Sequence, residues 1–276
     1  MFALLSDGKL DAYLAHRLLP DEVLINLHVP KTAGSSLTAD MPRLLGPFMN
    51  LGPGHADTSR PWQERLHERL ARFLARAGDG YLSSVSGHVT LGTMAKVLRA
   101  APQPLPFVPA YVAMLRDPVT RVVSDYAYTT SPAHPPHAEQ RKRYPTIEAY
   151  IEDQTQQNKM ARYLLADPDM PQDAIPGFLD RTYRFLGTQE AFEMSSFLLF
   201  ALGGLRHVST TRERVAPGGP TLRSAIDPAL AARIAAVNRL DALIHRHVSG
   251  VLARIRPAYE ALRPPGSASA RPSAPR

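Results

Sequence analysis

The sequence predicts an α/β protein with three layers, α/β/α, and a mainly parallel central sheet. Short apolar runs alternate along the chain with longer segments of helical periodicity, which is typical of strand–helix–strand units. The run at 111–115 is apolar at every position, as expected for a central parallel strand covered on both faces. Small or polar residues follow several runs, and open α/β sheets bind their ligands at such strand ends.

The length of 276 residues and a hydrophobic content of 44% fit one packed core. We expect a single domain over residues 1–262. The Pro-, Ser-, Ala- and Arg-rich segment 263–276 lacks core-forming residues and should be a flexible tail. The first 20 residues carry charges and no continuous apolar stretch, and no run is long enough to cross a bilayer. We therefore expect a cytoplasmic protein without an integral membrane segment.

The absence of cysteine excludes disulfides, thiolate metal sites and cysteine nucleophiles. The net charge of +7 favours an anionic partner, such as a nucleotide with several phosphate groups or an acidic glycan. The alternative is compositional, because a chain rich in Arg, Ala and Pro is typical of GC-rich genomes. Charge alone does not decide between these two interpretations. We expect no nucleic-acid partner.

The first predicted strand and the loop after it are the centre of the functional argument. The run at 24–29 is rich in β-forming residues, and Pro30 ends it because proline has no N–H for a sheet. Small residues follow at 32–36, and a helix should begin near Leu37, bent or shortened by Pro42.

Strand, small-residue turn and helix start form a geometry suited to phosphate. Free N–H groups and the helix dipole favour an anion at a helix N-terminus. Lys31 adds a charge, and Thr32 adds a hydroxyl donor. An ordinary strand-to-helix turn also favours Gly and Ser, so this stretch alone leaves both readings open. The G-x-x-x-x-G-K-[ST] pattern of a Walker A loop is absent.

The segment Pro-Lys-Thr-Ala-Gly-Ser-Ser resembles the loop of sulfotransferases that use 3′-phosphoadenosine-5′-phosphosulfate (PAPS). Within that superfamily it is most similar to the carbohydrate branch, which includes heparan sulfate 2-O-sulfotransferase and bacterial relatives. The resemblance implies a P-loop-like sulfotransferase fold, a bacterial source and a loop that holds the 5′-phosphosulfate. The cofactor-binding residues implied here are Pro30, Lys31, Thr32, Ala33, Gly34, Ser35 and Ser36, and Lys31 would also act in catalysis.

A second strand is predicted at 81–85, followed by Ser86, Gly87 and His88. A lone histidine after a strand is usually structural. Its place after a glycine at a strand end favours a catalytic role for His88. The segment Gly-His-Val also resembles the family segment that supplies the catalytic base. The resemblance implies that His88 takes a proton from an acceptor hydroxyl.

The third strand, at 111–115, leads into Arg116-Asp117-Pro118 and a helix at 119–128 with Pro118 in its first turn. Arg116 and Ser124 could both reach one anion, since arginine offers two parallel hydrogen bonds to phosphate. The alternative is a local Arg116–Asp117 salt bridge with Ser124 simply on the helix. The order Arg-Asp-Pro, Arg, Ser, Tyr resembles the family's second signature, in which the Arg and Ser bind the 3′-phosphate. Arg121 is either structural or a further contact.

The other elements complete the alternating pattern. In the first half of the chain we predict a helical lead-in at 1–22, a surface loop at 46–60, an amphipathic helix at 62–77, a helix at 93–100, a connector at 101–109 and an exposed loop at 129–144. In the second half we predict one or two helices at 146–166, a strand at 184–187, a helix with Thr188 as its N-cap, and one helix at 228–251 capped by Asp227.

Three further predictions concern the acceptor and the nucleotide. The element around Asn158 and Arg162 resembles a family segment that approaches the acceptor, which implies substrate contacts. Thr211 and Arg214 lie in a basic loop that resembles the one closing over the nucleotide. The basic cluster at 141–143 could hold an acidic sugar.

Together these features predict in-line transfer of a sulfuryl group from PAPS to a hydroxyl, most readily that of a carbohydrate, without a metal. A nucleotide-dependent kinase or NTPase remains an alternative, because the strand–loop–helix arrangement is shared. A non-catalytic nucleotide- or glycan-binding relative is the second alternative.

Overall fold

A computed structural model describes residues 1–51, 62–78, 83–101, 104–134, 136–167, 169–210 and 226–262. In these ranges five strands form one sheet in which every pair is parallel. The spatial order is β2-β3-β1-β4-β5. The strands are β1 Glu22–Leu27, β2 Phe48–Asn50, β3 Ser84–Gly87, β4 Val108–Leu115 and β5 Tyr183–Thr188.

Helices connect the strands and flank the sheet, so the predicted α/β/α class is confirmed. The helices of the first half are α1 Phe2–Ser6, α2 Leu10–Ala15, α3 Gly34–Leu44, α4 Trp62–Gly78, α5 Leu91–Arg99 and α6 Pro118–Thr129. Those of the second half are α7 His137–Arg143, α8 Ile147–Glu152, α9 Lys159–Leu164, α10 Ile175–Thr182, α11 Phe192–Ala201, α12 Pro228–Val237 and α13 Arg239–Ala261. In the described ranges no helix is both long and apolar enough to cross a bilayer.

The register of the central strands determines which loops meet. Leu27 at the end of β1 pairs with Gly87 at the end of β3, and Asn26 pairs with Val112 of β4. Carboxyl ends of parallel strands lie at one edge of a sheet, and a crevice outside that edge is the usual ligand site. The segments after β1, β3 and β4 therefore emerge side by side.

Two groups of buried side chains form the interior. The main core covers both faces of the sheet and includes β1, which is buried along its whole length. A second, smaller cluster lies under the end of α6 and joins it to α8 and α12; its buried members are Val122, Val123, Tyr144, Tyr150, Ile151 and Ile234.

The predicted helix at 228–251 is wrong in its continuity, because Asn238 separates α12 from α13 with non-helical backbone angles. Leu230 and Ile234 pack on the smaller cluster, whereas Ile244 and Val248 pack on the main core. At this break the chain changes from packing on the smaller cluster to packing on the main core. Asp227 occupies the N-cap position of α12, but its side chain makes no capping hydrogen bond within the described residues.

Two predicted loops contain regular structure. Strand β2 lies inside the predicted loop 46–60, whose remainder from 52 onward is outside the described residues. Three residues are too few to show a strand pattern. Helix α7 lies inside the predicted loop 129–144, after Pro136 at its N-cap. It buries no residue and is rich in helix-forming Gln, Arg and Lys.

Smaller boundary errors have local causes. Strand β4 begins at Val108, within the predicted connector, because Pro109 lies where β4 pairs with β1 but not yet with β5. Strand β3 ends at Gly87 rather than 85, so His88 is the first residue after it. The lead-in forms two helices, and a 3-10 turn, Gln189–Ala191, precedes α11. Thr188 caps this turn, as predicted, by accepting a hydrogen bond from the Ala191 N–H.

Candidate active site

Residues 30–36, which end in the first turn of α3, are here called the cradle loop. Lys31 and Ala33 have φ angles of 66° and 67°, in the left-handed region that residues with a Cβ rarely adopt. The fully buried Thr32 hydroxyl donates a hydrogen bond to the Val29 carbonyl at 2.9 Å and holds the turn. Such local backbone strain is typical of functional sites.

Helix α3 begins within the cradle loop, at Gly34. Ala33 is its N-cap residue, and no side chain in the described ranges caps it. The first N–H groups of a helix have no partner within the helix and carry partial positive charge. The cradle loop therefore directs this helix terminus, together with Lys31, toward the carboxyl edge of the sheet.

Gly34 is required by close packing rather than by an unusual φ angle. A Cβ at this position would lie 2.2 Å from Cδ2 and 2.5 Å from Nε2 of His28. The His28 ring therefore lies directly against the start of α3. Any larger residue at position 34 would have to displace that ring.

His88 lies beside His28 because of the β1–β3 register. The residues that pair before them are Leu27 and Gly87, and the His28 N–H donates to the Gly87 carbonyl at 2.9 Å. Nδ1 of His88 is 2.8 Å from the His28 carbonyl oxygen. A carbonyl only accepts, so Nδ1 of His88 carries the hydrogen and Nε2 holds the lone pair of the neutral ring. The two rings stack with centroids 4.3 Å apart.

Arg116, at the end of β4, is hydrogen-bonded to the cradle loop. Its side chain is largely buried; Nη1 donates to the Lys31 carbonyl at 3.2 Å, and Nε donates to Oγ1 of Thr120 at 3.3 Å. The Asp117 carboxylate accepts a hydrogen bond from the Thr120 N–H at 2.9 Å and so caps α6. Arg116 and the cradle loop are thus in direct contact.

One face of α6 lies along the same loop. Thr120, Ser124 and Tyr128 are spaced four residues apart and share this face. Thr120 contacts Arg116 at one end, and the Tyr128 ring lies 4.2 Å from Nζ of Lys31 at the other. Ser124 lies between these two contacts and is half-buried. The structure therefore brings Ser124 to the same side of α6 as Arg116 and Lys31.

Arg121 is fully buried and belongs to an ion network, which favours the structural role over a cofactor contact. Its guanidinium is 3.1 Å from the Asp125 carboxylate and 3.8 Å from that of Asp241. Asp125 also accepts hydrogen bonds from Lys159 at 2.7 Å and from Tyr150 at 2.9 Å. Burial would raise the pKa of Asp125, but Lys159 and Arg121 hold it below its ordinary value. Burial raises the pKa of Asp241, although Arg121 opposes the shift.

Asn158 joins α9 to the break between α12 and α13. Its Oδ1 accepts from the N–H groups of Leu240 and Asp241, and its Nδ2 donates to the Val237 carbonyl at 3.3 Å. Its own N–H donates to Oδ1 of Asn238 at 2.8 Å. The amide of Asn158 is therefore engaged in holding the fold.

Arg162 donates hydrogen bonds to the carbonyls of Thr155 and Gln154. Together with Asn158 it lines a surface cavity of about 240 Å³. The other lining residues are Gln154, Gln157, Ala161 and Leu240. Helix α9 packs against α5, which follows His88. The described hydrogen bonds of Asn158 and Arg162 do not reach the cradle loop, His88 or Arg116, so their predicted substrate contacts stay a prediction.

Thr211 and Arg214 lie in 211–225, outside the described residues. Their predicted contacts with the nucleotide therefore stay a prediction.

The sequence interpretation missed three residues that contact the site. His28 stacks with His88, and the Tyr128 ring contacts Lys31. Glu190 accepts a hydrogen bond from the Asp117 N–H at 2.9 Å, and its other oxygen is 3.2 Å from Nε2 of His245. Burial would raise the pKa of Glu190, but hydrogen bonds from His245 and Asp117 lower it overall. A usable signal existed for His28, since adjacent parallel strands place the residues after Leu27 and Gly87 together.

The cluster combines a helix N-terminus, a lysine, a buried arginine and a histidine whose Nδ1 donates to a backbone carbonyl. Such a set suits an anion beside a hydroxyl that loses a proton. In the described ranges no group of three or more His, Asp or Glu side chains could hold a metal ion. Comparison of the chain with protein-family models and with curated proteins gave no match.

Proposed function

We propose that this protein is a PAPS-dependent sulfotransferase that transfers a sulfuryl group to a hydroxyl, with a carbohydrate as the acceptor class. The main support is the 2.8 Å contact between His88 Nδ1 and the His28 carbonyl, just before the cradle loop. It joins a candidate base to a candidate anion site. Arg116 contacts the same loop from β4.

The residues present fit a nucleotide with phosphate groups at two positions. The cradle loop offers backbone N–H groups, the Lys31 charge and the hydroxyls of Ser35 and Ser36 to the 5′ end. The absent Cβ of Gly34 keeps the backbone open to close approach. Arg116 and Ser124 would hold the 3′-phosphate, since they share one side of the loop and arginine suits phosphate geometry.

Bound PAPS would supply a sulfur that forms a bond to the acceptor oxygen while its bond to the 5′-phosphate oxygen breaks. Nε2 of His88 takes the proton of the acceptor hydroxyl and later releases it to solvent. Lys31 and the first N–H groups of α3 stabilise the negative charge that grows on the phosphate. Arg116 fixes the position of the cradle loop. Positioning and electrostatics supply most of the rate enhancement in this scheme.

Transfer of labelled sulfate from PAPS to a panel of oligosaccharides, lipids and small alcohols tests the proposal. We expect labelled product with at least one saccharide and none with heat-denatured protein. Calorimetry with ATP and PAPS in parallel tests the kinase or NTPase alternative. Binding and turnover of ATP without binding of PAPS would contradict the proposal. Binding of PAPS without transfer in a single-turnover assay would instead indicate a non-catalytic relative.

A further inference from the structure

The His28 ring contacts two parts of the site, because it lies against Gly34 at the start of α3 and stacks with the His88 ring. We propose that His28 is a positioning residue that holds the His88 ring in one orientation and couples it to the cradle loop. The catalytic meaning of this inference rests on the proposed function. The geometric part does not depend on it.

Two contacts from one residue act on His88. The His28 carbonyl accepts the hydrogen bond from Nδ1 at 2.8 Å, which selects the tautomer. The His28 ring adds a second contact, because the two rings face each other at 30° with centroids 4.3 Å apart. Nε2 of His88 is thereby directed to one place.

The start of α3 also lies against the His28 ring. A Cβ at position 34 would meet Cδ2, Nε2 and Cγ of His28 at 2.2, 2.5 and 2.9 Å. The φ angle of Gly34 is not among the positive values of this structure, so an alanine there would be tolerated by the backbone itself. The residue that a Gly34→Ala change must displace is therefore His28, and any shift of His28 passes to His88.

The direct test is the tautomer and order of the His88 ring, measured in long-range ¹H–¹⁵N spectra of protein labelled with ¹⁵N-histidine. Spectra are taken at about pH 8, above the ordinary pKa of histidine. His88→Gln identifies the His88 signals. We expect one sharp Nδ1–H tautomer in the unmodified protein. His28→Phe should keep it, because a flat ring remains. His28→Leu should give averaged or broadened signals, because the stack is lost.

A matched control is His16→Phe, which replaces an exposed histidine at the C-cap of α2, before the start of β1. It should leave the His88 signals unchanged. Unchanged His88 signals in His28→Leu, or equal loss of order in His28→Phe and His28→Leu, would overturn the proposal. Should His28→Leu fail to fold, Gly34→Ala provides the same test from the start of α3. Gly34→Ala should broaden the His88 signals, and unaltered signals there would also overturn the proposal.

Transfer kinetics separate this inference from the proposed function. We expect His28→Leu to lower kcat about 10-fold, because a small misplacement of a catalytic group is costly, with acceptor KM nearly unchanged. His28→Phe should stay within about 3-fold of the unmodified protein, which also excludes His28 itself as the base. If the unmodified protein transfers no sulfate, the proposed function fails while the spectra still decide the role of His28. If transfer is normal in His28→Leu, only the positioning role fails.

Discussion

Charged and polar residues cluster in two regions of this molecule, and the regions differ in the groups that their cations contact. Around Arg121 and Lys159, two cations face the carboxylates of Asp125 and Asp241 in a buried network. Around the cradle loop, the described contacts of Arg116 and Lys31 are with a hydroxyl, a carbonyl and an aromatic ring.

We interpret the difference as one between a structural use of charge and the ligand binding that we propose for the cradle loop. The ion network balances its charges within the protein and joins α6 to α9 and α13. The cradle loop combines strained backbone with basic groups at the carboxyl edge of the sheet, where open α/β sheets bind their ligands. The sequence alone does not show that Arg121 and Arg116 have different surroundings, since both lie in one short motif.

The largest expected effect breaks the network. Asp125→Ala removes the partner of Arg121 and Lys159 and leaves buried charge uncompensated. We expect the free energy of unfolding to fall by about 3–5 kcal/mol, measured by urea denaturation. The protein that remains folded should bind 3′-phosphoadenosine-5′-phosphate with unchanged affinity. A large loss of that affinity without a loss of stability would place Asp125 in the site instead.

Arg116→Ala should show the opposite pattern. Removing the guanidinium should weaken binding of 3′-phosphoadenosine-5′-phosphate by about 2–4 kcal/mol, as for truncation of one partner of a buried charged pair. Calorimetry measures the change. Arg116→Lys keeps the charge without the planar fork and should recover only part of the affinity. Equal affinities in all three proteins would remove Arg116 from the site.

Fold and site were predictable from sequence to different degrees. Four strands were visible as apolar runs, whereas β2 has only three residues. The break at Asn238 was hidden, because apolar residues continue at helical spacing on both sides of it and its cause is a partner 80 residues away, Asn158. Local motifs indicated His88 and Arg116.

His28 and Glu190 required knowledge of which segments meet. The place of His28 depends on the β1–β3 register, and Glu190 contacts Asp117 across 73 residues. His245 is half-buried, with 17% of its side chain exposed, and pairs with Glu190 across 55 residues. Such long-range pairing leaves no local pattern in the sequence.

Tyr128→Leu tests a weaker contact of the cradle loop. The ring lies 4.2 Å from Nζ of Lys31, and a cation–π contact contributes about 0.5–1 kcal/mol. We expect kcat for sulfate transfer to fall a few-fold, with stability nearly unchanged. Tyr128→Phe keeps the ring and serves as the control. Identical rates for Leu and Phe variants would show that the ring does not act on Lys31.

The smallest effect concerns Glu190, whose pKa is lowered in the folded protein by His245 and the Asp117 N–H in spite of burial. A lowered carboxyl pKa contributes stability above its unfolded value of 4.5, and this contribution is lost as pH falls through the folded-state pKa. Glu190→Gln removes the titration. Between about pH 5 and pH 3, unfolding curves should therefore show a shallower loss of stability in Glu190→Gln than in the unmodified protein. Parallel losses would contradict the role given to this carboxylate.

The role of His88 is tested most directly by comparing His88→Gln with the unmodified protein in single-turnover transfer of labelled sulfate from PAPS. We expect transfer by the unmodified protein and a rate lower by about 10²-fold or more in His88→Gln, with equal affinity for 3′-phosphoadenosine-5′-phosphate. Equal transfer rates in the two proteins would contradict the assignment of His88 as the base beside the cradle loop.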